Sequence, residues 1–106
     1  MGKLKLHSNW WNSMYHCILV KFKKNFCLKD NMDDIKSIFD SLNFDGLNKI
    51  DYFFNCINRE NRFDLLIRIN MKKESLDSYD QSFSHKLWKE KYSQYIEKKA
   101  IFDYEQ

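Results

Sequence analysis

Three histidines and three cysteines are the side chains of this sequence best suited to chemistry, and their spacing argues against most of it. His7, His16 and His85 form no His-x-x-x-His pair, and Cys17, Cys27 and Cys56 form no Cys-x-x-Cys pair, so the ligand spacing of a zinc site is missing. No metal and no other cofactor is expected. Cys17 follows His16, but neighbouring side chains on a strand point to opposite faces, so adjacency alone makes no nucleophile and base. A nuclease built on His7, His16 and a lysine is conceivable by general acid-base chemistry, yet three histidines among many lysines are ordinary in a chain this size. The plain reading makes the histidines structural or surface groups. Ser41 to Tyr52 imitates a calcium loop only through Asp45-Gly46, because its twelfth position is Tyr52 where a bidentate Glu is needed. Two glycines, Gly2 and Gly46, cannot build a glycine-rich phosphate loop. The pattern points to a protein that is not an enzyme.

The odd cysteine count suits reduced thiols in a reducing compartment, used as small core hydrophobes rather than as a disulfide framework. A chain of 106 residues is read as one domain, 1–106, able to bury a single core without disulfides or metal. Aromatics at 17% supply core material, and charged residues at 31% place it among globular rather than disordered proteins. The longest apolar run, Cys17–Val20, stops at Lys21, far short of a bilayer span. Met1–His7 has no hydrophobic signal core, and Leu6 stands where a myristoylation signal wants Ser or Thr. A cytoplasmic address with no membrane partner is therefore expected.

Charge is segregated beneath a net +3. Met1–Lys29 carries six lysines and no acid, whereas Asp30–Glu60 carries seven acids against Lys36, Lys49 and Arg59. A folded domain with one basic and one acidic stretch can present two electrostatic faces, either of which can select a partner.

The elements that would position these groups follow from periodicity. Lys3–Trp11 alternates with period two, as a half-wetted strand does. Tyr15–Lys23 fits a strand with His16, Ile18, Val20 and Phe22 on one face, and also a helix through Trp11, Tyr15, Ile18, Phe22 and Phe26; its β-branched and aromatic content favours the strand. Asn31–Leu42 reads as a helix capped by Asp30 or Asn31, with Ile35, Ile38, Phe39 and Leu42 as its stripe and Gly46 as the left-handed residue beyond its end. Lys49–Ile57 and Arg62–Met71 alternate around Asn58–Asn61, giving a hairpin with a four-residue loop. Lys72–Gln81 is a polar connection, and Ser82 or Ser84 caps a last helix whose stripe is Leu87, Trp88, Tyr92, Tyr95 and Ile96. The expected fold is α+β: an antiparallel sheet of about four strands with two helices on one face, the alternative being a mostly α chain.

Lys49–Asn61, reading Lys-Ile-Asp-Tyr-Phe-Phe-Asn-Cys-Ile-Asn-Arg-Glu-Asn, resembles the last strand and turn of the cloacin and ribonuclease-colicin immunity proteins. Lys5–Trp11, with its Leu-His and Asn-Trp pairs, resembles that family's first strand. The resemblance implies a cytosolic, non-catalytic immunity protein that binds a cognate bacterial toxin, a bacteriocin or contact-dependent inhibition nuclease, and occludes its active site. The partner-binding candidates it implies are Trp11, Asp51, Tyr52, Phe53, Arg59 and Glu60. Departures from the family are the basic net charge, an unmatched central region and a helix running past the family's usual end. The alternative function is a small nucleic-acid-binding or regulatory protein of a phage or plasmid. It rests on Lys3, Lys5, Lys21, Lys23 and Lys24 with Trp11 and Tyr15 among them, a set that also fits a strand edge kept soluble by lysines.

Overall fold

A computed structural model describes residues 13–105. The expected strand Lys3–Trp11, with His7 and the partner candidate Trp11, lies outside the described residues. Strand β1 (Ser13–Phe22) is followed by helix α1 (Leu28–Asp40), strands β2 (Leu47–Phe54) and β3 (Leu65–Lys72), a short helix α2 (Leu76–Asp80), helix α3 (Phe83–Tyr92) and strand β4 (Ile96–Glu105). The four strands make one antiparallel sheet in the order β2-β3-β1-β4. Because β3 lies between β1 and β2, and β1 between β3 and β4, this is the split β-α-β-β-α-β arrangement called ferredoxin-like. The α+β expectation holds, and the mostly α alternative falls.

β1 is a strand because strand partners claim both its edges. Cys17 faces Arg68 of β3 on one side and Phe102 of β4 on the other. Alternation then sends His16, Ile18, Val20 and Phe22 to the helix side, where Ile67, Ile69 and Met71 meet them from β3. Ile35, Ile38 and Phe39 of α1 and Trp88 and Tyr92 of α3 close this core. Each of these large side chains contributes roughly 1.5–3 kcal/mol by leaving water. Phe39 and Trp88 meet edge to face at 5.2 Å, so the two helices pack through rings. Beside them the Asp34 carboxylate accepts from Lys91 Nζ at 2.8 Å and from the Tyr92 hydroxyl, which hold its pKa below the ordinary carboxylate range.

Three local expectations need correction. Helix α1 starts at Leu28, a turn earlier than its acids suggested, with Cys27 at the N-cap and no side-chain cap bond; Asn31 donates back to the Cys27 carbonyl instead. The hairpin loop spans 55–64 rather than four residues, since Phe54 pairs with Leu65 and Asn55 N donates to Asp64 O at 3.1 Å. The last helix begins as read, with Ser82 Oγ accepting from His85 N at 3.1 Å, but it ends at Tyr92. Ser93–Tyr95 tightens into a 3₁₀ turn, Ile96 is extended, and the residues after it form β4. The apolar spacing through Tyr95 and Ile96 mimicked a longer helix because Ile96 does pack on the core, from a strand.

Gly46 is the left-handed residue the sequence marks, at φ +95°, but it serves the entry to β2 rather than the end of α1. Lys72 N donates to its carbonyl at 3.0 Å, and a Cβ there would stand 2.1 Å from Ser75 Oγ, which itself donates to Asp45 O at 2.7 Å. Gly46→Ala should therefore lower stability by ~2 kcal/mol or more, the left-handed penalty plus a clash with a bonded hydroxyl. Urea denaturation checks this; a midpoint within error of wild type would show that the 44–47 turn can relax.

Candidate functional site

Strand β1 displays different chemistry on each of its faces. On the helix side, His16 is buried and its Nδ1 lies 2.5 Å from Asp103 Oδ1, its direct cross-strand partner on β4. An ionised carboxylate can only accept, so Nδ1 carries the hydrogen and Nε2 of the neutral ring keeps its lone pair. Tyr79 packs on the imidazole, with ring centroids 5.1 Å apart, and on His85 with centroids 4.7 Å apart. The Tyr79 ring is buried, yet its hydroxyl makes no hydrogen bond among the described residues. Burial, reinforced by the charge of Asp80, pushes that hydroxyl well above the ordinary phenol range, so it stays a donor at any physiological pH.

The α2–α3 junction sets the second histidine. Ser82 caps α3, donating its own hydroxyl to Tyr79 O at 2.7 Å, and this fixes Tyr79 and His85 on either side of one turn. His85 Nδ1 sits 3.0 Å from the Asp80 carbonyl, which only accepts, so this ring too leaves Nε2 as its basic nitrogen. Two imidazole rings thus pack against the ring of one phenol. Asp103 keeps 41% of its side chain exposed on the helix-facing side of edge strand β4, and Ile101 beside it is 48% exposed, so the carboxylate end of the pair reaches solvent along that edge. No sequence motif marks this set, because His16 and Asp103 are 87 residues apart and only strand pairing unites them.

Among the described residues no helix lies on the opposite face of the sheet. Its rows, read across the strands, are Phe53-Leu66-Leu19-Ala100, Asp51-Arg68-Cys17-Phe102 and Lys49-Asn70-Tyr15-Tyr104. Arg68 organises them. Its guanidinium lies 4.7 Å from the centre of the Tyr15 ring and 5.1 Å from that of Phe53, and it donates to Asp51 Oδ2 at 3.1 Å. The Asp51 bond raises the Arg68 pKa further, while burial pushes the neighbouring Cys17 thiol up and makes it a poor nucleophile. Nothing in the local pattern marks Arg68; its role comes from the register that sets it opposite Asp51.

The partner candidates therefore divide. Asp51 and Phe53 come together on the open face, both against Arg68. Tyr52 points the other way, and its hydroxyl donates to Asp40 at 2.8 Å. Burial and that carboxylate raise its pKa. Arg59 and Glu60 stand on the 55–64 loop at one end of the sheet, by a cleft of about 950 Å³.

No family model matches the sequence, and no curated protein matches it. Solved structures share its fold. A dimeric protein of unknown function and ferredoxin-like fold from Bacteroides fragilis has a TM-score of 0.68 at 14% identity, over 92% of this chain and 99% of that one. A DABB family protein with a ferredoxin-like fold from Mesorhizobium loti has a TM-score of 0.71 at 15% identity, over 89% and 96% of the two chains. The hydroxynitrile lyase of Passiflora edulis has a TM-score of 0.71 at 12% identity, over 89% and 93%.

These likenesses correct the immunity-protein reading. The segment that resembled a last strand is β2, second of the four, and the sheet closes with β4 instead. Aromatic alternation in Lys49–Phe54 reports a half-buried strand, which many unrelated folds contain. The toxin partner goes with it, as does the expected acidic face: Asp51 is held by Arg68, Asp40 by Tyr52, and Asp34 by Lys91 and Tyr92. The nucleic-acid alternative also loses its surface, because Tyr15 lies under Arg68 on the open face while Lys23 and Lys24 line the cleft. Among the described residues no helix is long and apolar enough to cross a membrane. The fold hosts at least one protein named as an enzyme, so it does not support a non-catalytic chain by itself.

The tautomer assignment is directly observable. Long-range ¹H–¹⁵N correlation spectra at neutral pH should show His16 and His85 protonated at Nδ1, and Asp103→Asn should abolish the fixed tautomer of His16 alone. An Nε2-protonated His16 in the wild type would show that Asp103 is not its orienting partner.

Proposed function

We propose that this chain is an acid-base catalyst for a small carbonyl compound, working as a homodimer. The observation that carries the chemistry is the 2.5 Å His16–Asp103 bond, with the ring of buried Tyr79 packed on the same imidazole. His16 Nε2 takes a proton from the carbon next to the carbonyl, and Asp103 stabilises the imidazolium that results. The Tyr79 hydroxyl donates a hydrogen bond to the carbonyl oxygen as it gains enolate charge, which a low-dielectric setting strengthens. The proton then returns from His16 to carbon. The expectation of a non-catalytic protein rested on the lack of an acid-base pair at local spacing, and a pair made by strand pairing escapes that reasoning.

Proton exchange measures this without a known substrate. In D₂O, the wild type should accelerate α-deuteration of some members of a panel of ketones, aldehydes and 3-oxo acids, followed by NMR. His16→Gln and Tyr79→Phe should each cut that rate by about 10²-fold or more, the usual scale for one positioned acid or base. Uniformly background rates with folded wild-type protein would sink the proposal.

The second copy is argued from the open sheet face. Phe102 is 61% exposed and Phe53 44%, with Leu19, Leu66 and Ala100 between them, an apolar patch on a face that the chain's own helices leave bare. Two such faces pack as a sandwich with about 10 Å between sheets, and a two-fold axis makes the patch its own complement. The relative from Bacteroides fragilis is described as dimeric. In this reading Asp51 and Phe53 are contacts to the second copy, and Arg68 holds them in place. Light scattering should give a dimer at micromolar concentration. Phe102→Glu should raise the dissociation constant about a hundredfold or more, since it places a charge in a desolvated centre. A wild type that stays monomeric at every concentration would refute this interface.

A further inference from the structure

The cleft at the end of the sheet, remote from His16, has the make-up of a binding site for an amphiphilic anion. Its walls are the β1–α1 turn, the first turns of α1, the 55–64 loop and the start of β4. A volume of about 950 Å³ is at the upper end for small-molecule sites, which run about 300–1,000 Å³. The floor is apolar: Phe26, Met32, Phe54 and Ile57 line it, and Phe54 is 56% and Ile57 45% exposed. Exposed side chains of this size gain from any apolar chain laid over them.

The rim has the opposite character. Seven Lys and Arg side chains line the cleft against three acids. Two of those acids are occupied, since Glu97 lies 3.6 Å from Lys21 Nζ and Asp64 Oδ2 accepts from Phe22 N at 2.7 Å. Lys23, Lys24, Lys29, Arg59 and Lys98 make no ion pair among the described residues. The loop wall is braced: Lys21 donates to the Glu60 carbonyl, Asn55 Nδ2 donates to Ile57 O at 2.6 Å and Arg62 N to Arg59 O at 3.2 Å. Uncompensated cations around an apolar floor call for one chemistry, a single negative head on a hydrocarbon tail.

We infer that this cleft binds a free fatty carboxylate, with the tail on Phe26, Met32, Phe54 and Ile57 and the head among Lys23, Lys24 and Arg59. The inference does not depend on the acid-base reading, because no residue of the cleft belongs to the His16 cluster. Calorimetric titration of the full chain with laurate, kept below its micelle concentration, tests it. Laurate should saturate at one per protomer and bind about tenfold tighter than decanoate, two buried methylenes being worth roughly that much. Dodecyltrimethylammonium, equal in tail and opposite in charge, should bind at least tenfold more weakly. The rim variant Lys24→Glu/Arg59→Glu touches only exposed side chains and should invert that preference while its circular dichroism stays unchanged; His16→Gln should leave laurate affinity unaltered. Equal affinity for both amphiphiles, no saturable binding of laurate, or binding only to phosphatidylglycerol vesicles would each overturn the inference.

Discussion

The sheet has two faces, and among the described residues helices cover one. From this single constraint most of the molecule follows. Both helical connections return to the same side, so the residues alternating towards them, Ile18, Val20, Ile67 and Ile69 above all, become the dry core. The residues alternating away are left with water or a partner. That second face is not uniformly polar: Leu19, Leu66 and Phe102 remain on it, and the Arg68–Asp51 pair lies against the rings of Tyr15 and Phe53. A guanidinium stacked between aromatic rings loses less on desolvation than an ammonium, which suits the partly buried setting of Arg68.

Much of the architecture was legible in the sequence because β-branched and aromatic residues alternate strongly in β1 and β3 and apolar residues recur cleanly in α1. What escaped did so for tertiary reasons. In β4, Lys98, Lys99, Glu97 and Asp103 dilute the alternation, as befits an edge strand that must resist pairing with strangers, and the strand exists only because β1 offers it a full edge. The ten-residue loop at 55–64 looked like a four-residue turn because its apolar residues, Ile57 and Phe63, continue the alternation of the strands beside it.

The candidate site was less legible than the fold. Of the residues first singled out, Asp51 and Phe53 share a surface, Tyr52 faces the opposite layer, and Arg59 and Glu60 belong to the cleft. The groups that the geometry brings together, His16 with Asp103 and Tyr79 with His85, are unremarkable in isolation. A histidine inside a strand acquires meaning only once its cross-strand neighbour is known, and that neighbour is set by register across 87 positions of chain. Searching for pairs at short spacing favours helices and metal loops over sheets, where the relevant neighbours are far apart in sequence.

Register also gives β1 a rule about its own length. His16 and Cys17 are adjacent in the chain and stand on opposite faces, the imidazole towards Tyr79 and the thiol beside Arg68. Inserting or deleting one residue before them would exchange the two, driving a thiol against Tyr79 and an imidazole under the guanidinium. The whole strand would swap its dry and open sets with them. Length change in this strand is therefore quantised in twos, whereas β4 carries one odd residue, Glu97, where its pairing with β1 shifts between Lys21 and Phe22. The irregularity thus sits in the edge strand and leaves the alternation of the central strand intact.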